Sequence, residues 1–195
     1  MQDTQPVTKL LALSGSLRSG SFNTALARHA QRLAPEGAQI DVATLHGVPL
    51  YDGDVEQRDG IPAAVLELKA TILAADGLLL VTPEYNNGVP GVFKNGIDWL
   101  SRADMKAIFA GLPVGLIGAS PGGFGTLLSQ TAWLQTLKTL GTVVYSGSAL
   151  MVSRAHTIFG ADGSMNDEKT QQALAGYLAG FAAFVRATRS AARPS

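Results

Sequence analysis

From residue 14 to residue 23 the chain reads SGSLRSGSFN. The groups there that could do chemistry are two hydroxyls (Ser16 and Ser21), a guanidinium (Arg18) and an amide (Asn23). That set suits an anion. A guanidinium grips a phosphate in a planar fork, and short hydroxyl and amide side chains donate hydrogen bonds at close range. The apolar run Leu10 to Leu13 precedes the segment and a helical pattern follows it, so the segment sits at a strand-to-helix turn. A helix start there offers unpaired main-chain N–H groups and the positive end of its dipole, and a phosphate can bind without a metal. The same residues also suit an ordinary turn with a serine cap. The turn contains neither G-x-x-x-x-G-K-[ST] nor G-x-G-x-x-G, which argues against nucleoside triphosphate hydrolysis and against a dinucleotide fingerprint at this point.

Two more loops carry unusual residues. Thr82 to Gly91 reads TPEYNNGVPG: the prolines and glycines shape it, Tyr85 offers an aromatic face, and Asn86 offers an amide that could meet the polar edge of a flat heteroaromatic ring. The alternative is a structural turn that leaves Glu84 and Tyr85 exposed. Ala119 to Gly125 reads ASPGGFG, and its glycines permit close backbone approach to a ligand, a weak signal on its own. Lys94 and Asp98 stand four apart on a helical stretch and read as an ordinary ion pair, with Trp99 in the core or at an interface. The acids between Pro49 and Gly60 (Asp52, Asp54, Glu56 and Asp59) read as a solvated loop, since no calcium-loop pattern surrounds them. His29, His46 and His156 are far apart, with no spacing for zinc, so no metal site is expected. The chain has no Cys, which removes thiol catalysis and disulfides. No G-x-S-x-G elbow surrounds Ser14, Ser16 or Ser120, so a serine hydrolase is set aside.

These loops need a scaffold. Short apolar runs predict strands at residues 8–14, 38–44, 77–82, 112–119 and 142–146, and helical periods lie between them. Leu26, Ala30 and Leu33 share one helix face, as do Val65, Leu68 and Ile72, and Leu127, Leu134 and Leu137. The last helix carries the clearest stripe, Leu174, Leu178, Phe181 and Val185, with Asn166 or Asp167 as its cap. Alternating strands and helices predict an α/β domain: a doubly wound, five-stranded parallel sheet of order 2-1-3-4-5 with helices on both faces. In such sheets ligands bind outside the carboxyl ends of strands 1 and 3, where the winding reverses, and all three loops fall at strand ends. A single domain over 1–195 is expected, with 1–7 and 188–195 flexible. Fifteen basic residues balance fifteen acidic ones, so neither nucleic acid nor an acidic membrane is an expected partner. No apolar run approaches the length of a membrane span, and no signal-peptide pattern opens the chain.

Taken together, GSLRSGSFN, TPEYNNGVPGVFKNGIDWLSR and ASPGGFGT, in this order and at three strand ends, resemble the NADPH-dependent FMN reductase family. This flavodoxin-like group includes bacterial quinone and chromate reductases, and the resemblance runs over about residues 8 to 185. It implies that Ser16, Arg18, Ser21 and Asn23 hold the FMN phosphate, with Phe22 among the cofactor contacts. Pro83, Glu84, Tyr85 and Asn86 would line the isoalloxazine and ribityl chain, and Ser120 and Gly122 would touch the ring's far edge. No side chain need act as catalyst, because flavin N5 carries the chemistry. The resemblance further implies NADPH or NADH as donor and a quinone as acceptor, with chromate, azo compounds or free flavin as further acceptors. It also implies a cytoplasmic homodimer or homotetramer. Two departures bear on acceptor choice and assembly: Asn87 stands where some quinone-reducing relatives carry an aromatic, and Thr126 to Thr131 lacks the family's charged and aromatic contacts. The rival readings are a non-enzymatic electron carrier and a flavin-binding regulatory module. Carriers of this fold are typically strongly acidic, which this chain is not.

Overall fold

The computed structural model describes residues 6–192. Along the chain these form β1 (Thr8–Ser14), α1 (Phe22–Arg32), β2 (Ala38–Ala43), α2 (Gly53–Asp59), α3 (Ala63–Leu73), β3 (Gly77–Val81) and α4 (Gly91–Phe109). There follow β4 (Pro113–Ala119), α5 (Leu127–Thr139), β5 (Val143–Val144), β6 (Leu150–Val152), α6 (Ala155–Ile158) and α7 (Glu168–Ala192). The strands pair in parallel in the order β2-β1-β3-β4-β5, with β6 also on β4. This is the doubly wound order expected from the alternation of strands and helices, with one more strand than expected.

The extra strand is a finding about the fifth position. A single strand was expected over 142–146, but Val143 and Val144 pair only with Pro113 and Val114. The chain then leaves the sheet and returns as β6, which pairs with Ile117, Gly118 and Ala119. Between these two stretches the main-chain N–H of Leu116 has no strand partner, and it donates instead to the Tyr177 hydroxyl of α7 at 2.9 Å. The excursion is held by Tyr145, whose ring packs edge-on against Tyr177 at 5.3 Å. Burial pushes the Tyr177 phenol well above its ordinary pKa, so the hydroxyl stays neutral and available as an acceptor.

Side chains alternate across the pleat and build two cores. Leu10, Ala12, Leu79, Val81 and Ile117 face α1 and α7. Leu11, Leu13, Leu78, Leu80, Val114 and Leu116 face α3, α4 and α5. All five residues of β3 are buried, as befits a central strand covered on both sides. Val65, Leu68 and Ile72 are buried as the helical period predicts, and so are Leu174, Leu178, Phe181 and Val185. Asp167 caps α7, accepting from the Thr170 N–H at 2.8 Å.

Three expectations need correction. Residues 49–60 are not an irregular loop throughout: Asp52 accepts from the Asp54 N–H at 2.9 Å and caps the short helix α2, which has no buried residue. Leu127 and Leu134 do not share a buried face with Leu137. The Trp133 indole donates to Thr82 Oγ1 at 3.0 Å, which turns the Ser129, Trp133 and Leu137 stripe inward and leaves Leu127, Leu128 and Leu134 exposed. Residues 188–192 continue α7, tied to the sheet by an Arg189–Asp76 ion pair of 2.9 Å; residues 1–5 and 193–195 of the expected loose ends lie outside the described residues.

Candidate functional site

The turn after β1 combines both readings of its sequence. Ser21 is the N-cap of α1, with extended backbone, and its hydroxyl oxygen accepts from the Thr24 N–H at 3.2 Å. The hydroxyl proton remains free to donate. Ser16 is buried and its oxygen accepts from the Arg18 N–H at 3.3 Å. Among the described residues the main-chain N–H groups of Ser19 to Asn23 find no acceptor, and Arg18, exposed, has no carboxylate partner. Five unpaired N–H groups, two hydroxyls and a guanidinium on one turn fit a phosphate dianion. Gly15 lets this turn lie against α4, since a Cβ there would fall into the Phe93 ring. His46 ties the loop after β2 to the turn through the Leu17 carbonyl, 3.2 Å away.

Asn23 has another task. Its amide donates to the Ala119 carbonyl at 2.8 Å and accepts from the Ala119 N–H at 2.9 Å. This buried pair pins the first turn of α1 to the end of β4, leaving one amide hydrogen for a ligand. Phe22 stacks on Phe159 at 5.8 Å.

The loop after β3 closes on itself. Tyr85 and Gly88 exchange N–H to carbonyl bonds of 3.2 and 3.0 Å, and the residues between them, Asn86 and Asn87, have φ of 50° and 61°. This is a two-residue turn with both central residues left-handed, and Asn takes that conformation at less cost than other side chains. The turn accounts for Asn87, where an aromatic would be strained. Glu84 points away from the turn, and its Oε2 accepts from the N–H groups of Leu128 and Ser129 at 2.8 and 2.9 Å. It therefore caps α5, whose own N-cap residue, Thr126, makes no side-chain cap bond. Below it, the buried Thr82 hydroxyl accepts from Trp133, donates to the Pro83 carbonyl and shares a 2.9 Å bond with Ser129.

The loop after β4 is pinned to β6 and α6. Ser120 N–H donates to the Val152 carbonyl at 3.0 Å, Ala155 N–H to the Ser120 carbonyl at 3.0 Å, and Arg154 N–H to the Gly122 carbonyl at 3.0 Å. Ser120 Oγ accepts from the Gly122 N–H at 3.2 Å.

One cavity of about 50 Å³ joins the three loops, at the carboxyl ends of β1, β3 and β4. Its wall holds Ser16, Arg18, Ser21, Phe22, Asn23, Pro83, Glu84, Tyr85 and Ser120, together with Ala119 and Pro121. Asn86 and Gly122 lie off it. Ala119 and Pro121 carry no side-chain signal that sequence reading could use; only the convergence of strand ends places them here. Beside the cavity lies an apolar rim, with Tyr85 48% and Phe124 80% exposed. The loop after β2 flanks it, clamped to α4 by the Pro49 carbonyl, which accepts from Asn95 at 2.8 Å and Trp99 at 2.9 Å. Just beyond that loop Arg102 of α4, then the Tyr51 hydroxyl, hold the carboxyl of Glu56 on α2 below its ordinary pKa. The Lys94–Asp98 pair forms on α4 at 2.7 Å, as the spacing predicts, and Trp99 is fully buried.

Known proteins match this architecture. The profile of the NADPH-dependent FMN reductase family matches residues 8–157. The chain is 41% identical over 181 residues to an NAD(P)H-dependent FMN reductase of Pseudomonas aeruginosa, covering 93% of this chain and 97% of that protein. It is 37% identical over 180 residues to a quinone reductase of Escherichia coli, covering 91% and 95%. Among solved structures, FerB, a flavoenzyme NAD(P)H:(acceptor) oxidoreductase of Paracoccus denitrificans, superposes with a TM-score of 0.82 at 34% identity, over 93% of this chain and 99% of that one. The fold, the three loops and these matches agree, and the chain belongs to the NADPH-dependent FMN reductase family.

Proposed function

We propose that the protein is an NAD(P)H-dependent FMN reductase that passes two electrons to a small acceptor such as a quinone. The observation that carries this reading is the cavity in which Ser21, Phe22 and Asn23, whose main-chain N–H groups are unpaired, and Arg18 meet the loops after β3 and β4. Bound there, FMN supplies the two-electron chemistry between donor and acceptor. The chain's part is to bind and orient. Ser16, Arg18, Ser21 and the turn N–H groups hold the phosphate, and Asn23 holds the turn to β4. Pro83, Glu84, Tyr85 and Asn86 shape the side toward the ring and ribityl chain, with Phe22, Ser120 and Gly122 completing the contacts. A cavity of about 50 Å³ is far below the ~300–1,000 Å³ of enclosing ligand pockets, so it suits the phosphate end. The ring is left to the open apolar rim, where donor and acceptor can stack in turn.

The donor is NADPH or NADH. We place the protein in the cytoplasm, where both are held, as a homodimer or homotetramer. Leu127, Leu128 and Leu134, exposed together on α5 with Phe124 beside them, support self-association. No described helix is long and apolar enough to cross a membrane.

The test is an absorbance spectrum of the purified protein with added FMN, then anaerobic NADPH. Bound flavin that bleaches with NADPH and recovers with a quinone, in ping-pong kinetics, is the expected result. Protein that binds no FMN refutes the reading.

A further inference from the structure

The turn after β1 is held at both ends by the core. Gly15 N–H donates to the Val81 carbonyl at 3.0 Å, and Ala25 N–H to the Ser21 carbonyl at 2.9 Å. Its middle, residues 17–20, is exposed. Among the described residues one hydrogen bond joins that middle to another part of the chain: His46 Nε2 lies 3.2 Å from the Leu17 carbonyl. A carbonyl only accepts, so Nε2 carries a proton there. In the neutral ring Nδ1 is then left to accept from the Thr44 hydroxyl, 2.9 Å away.

His46 itself is firmly presented. Val48 N–H donates to the Leu45 carbonyl at 3.2 Å, and Gly47 has a φ of 82°, the third position of a type II turn, where glycine is needed. Leu45, next to His46, is fully buried and packs so closely on α4 that a Cβ at Gly96 would strike it. The peptide group between Leu17 and Arg18 is therefore gripped from both sides, its carbonyl by His46 and its N–H by Ser16 Oγ at 3.3 Å. Fixing that plane sets the direction in which the Arg18 side chain leaves the backbone. It also occupies the Ser16 oxygen as an acceptor, which turns the hydroxyl proton away from the Arg18 N–H and leaves it for a ligand.

We infer that His46 is a positioning residue for the FMN phosphate. It is not in the wall of the flavin cavity and acts through Leu17. By holding the 17–18 peptide it keeps Arg18 and Ser16 aimed at the anion before the anion arrives, so that less order has to be imposed on binding. The inference rests on the flavin site proposed above.

The test compares wild type with His46→Phe, which keeps a flat ring without a donor, and His46→Gln, which returns an N–H donor. The position is exposed, so the variants leave the core untouched. Each apoprotein is titrated with FMN and with riboflavin, which lacks the phosphate, and binding is followed by flavin fluorescence. The expected result is a Kd for FMN raised roughly 2- to 12-fold in the Phe variant, the worth of one hydrogen bond, with most of the loss restored by Gln and riboflavin affinity the same in all three proteins. Nitrogen–proton correlation NMR of wild type should show the neutral His46 ring with its proton on Nε2. An unchanged Kd for FMN in the Phe variant overturns the inference, and so does an equal loss for FMN and riboflavin, which marks a general distortion. A Gln variant as weak as the Phe variant, or a neutral ring protonated on Nδ1, also overturns it. FMN binding that fails already in wild type overturns the underlying flavin reading instead.

Discussion

Glu84 offers a direct test of how the site is held together. Its carboxylate accepts from two main-chain N–H groups at the start of α5, at 2.8 and 2.9 Å, and Thr126 makes no cap bond of its own. Glu84→Ala therefore removes the cap of a thirteen-residue helix, a loss of about 0.5–2 kcal/mol. It also removes a negative charge from the positive end of the helix dipole, worth about 0.3–1 kcal/mol at a half-exposed position. The sum is about 1–2.5 kcal/mol, since the upper ends of the two ranges overlap. For a chain of this size that lowers the melting temperature by roughly 2–10 °C. Glu84→Gln keeps an acceptor oxygen and loses only the charge, so its cost is about 0.3–1 kcal/mol. The assay is urea unfolding of the apoprotein, which keeps flavin from adding its own stabilisation, at low and high salt. The Ala variant should fall below the Gln variant, and the gap between Gln and wild type should narrow in salt as the dipole is screened. An Ala variant as stable as wild type would refute the claim that this residue of the second loop organises α5.

Arg18→Ala should weaken FMN binding by about 1.5–3 kcal/mol, roughly 10- to 150-fold in Kd, by loss of a charge-assisted phosphate contact; equilibrium dialysis with FMN checks it, and an unchanged Kd removes Arg18 from the site. Tyr177→Phe should cost about 1–3 kcal/mol, because the Leu116 N–H is left buried without an acceptor; chemical denaturation measures it. The raised pKa of Tyr177 means that the folded protein holds the phenol proton more tightly than the unfolded chain. Its contribution is therefore complete below pH ~10 and declines as pH rises beyond that, and the Phe variant should lack this component of alkaline unfolding. Asn87→Val should cost about 1–2 kcal/mol, since φ at this position is 61°, while Asn87→Gly should cost nothing; thermal unfolding of the pair decides whether the turn conformation or the amide matters.

Much of this is legible in the sequence. A short, fully apolar run such as Leu78 to Val81, set between helical periods, reads as a covered strand, and the three loops sit where a doubly wound sheet gathers its ligand contacts. What escaped depended on long-range geometry. The turn of α5 toward the sheet is set by Trp133 reaching Thr82, 51 positions away in sequence, and no local period reports that Leu127 and Leu134 face outward. The structural tasks of Glu84 and Asn23, beside their place in the cavity wall, are hidden for the same reason. A carboxylate or amide in a loop looks available for a ligand until the unpaired N–H groups it must satisfy are seen, at Leu128 and Ser129 for one and at Ala119 for the other. The split of the fifth strand was hidden because Leu150 to Val152 is too short to stand out and Tyr177 reads as one more residue in a helical stripe.

That split also bears on how copies of the chain avoid one another. An uninterrupted strand at the rim of a parallel sheet presents a row of open N–H and carbonyl groups onto which a foreign strand can add, the first step towards aggregation. Here that rim is only two residues of β5 and three of β6, too short to template a pairing partner. The one N–H that β4 exposes between them is already taken by a phenol from α7. The broken strand therefore keeps fully folded molecules from zipping together along this edge, and leaves β2, six residues long at the opposite rim, as the sheet's one edge of ordinary length among the described residues.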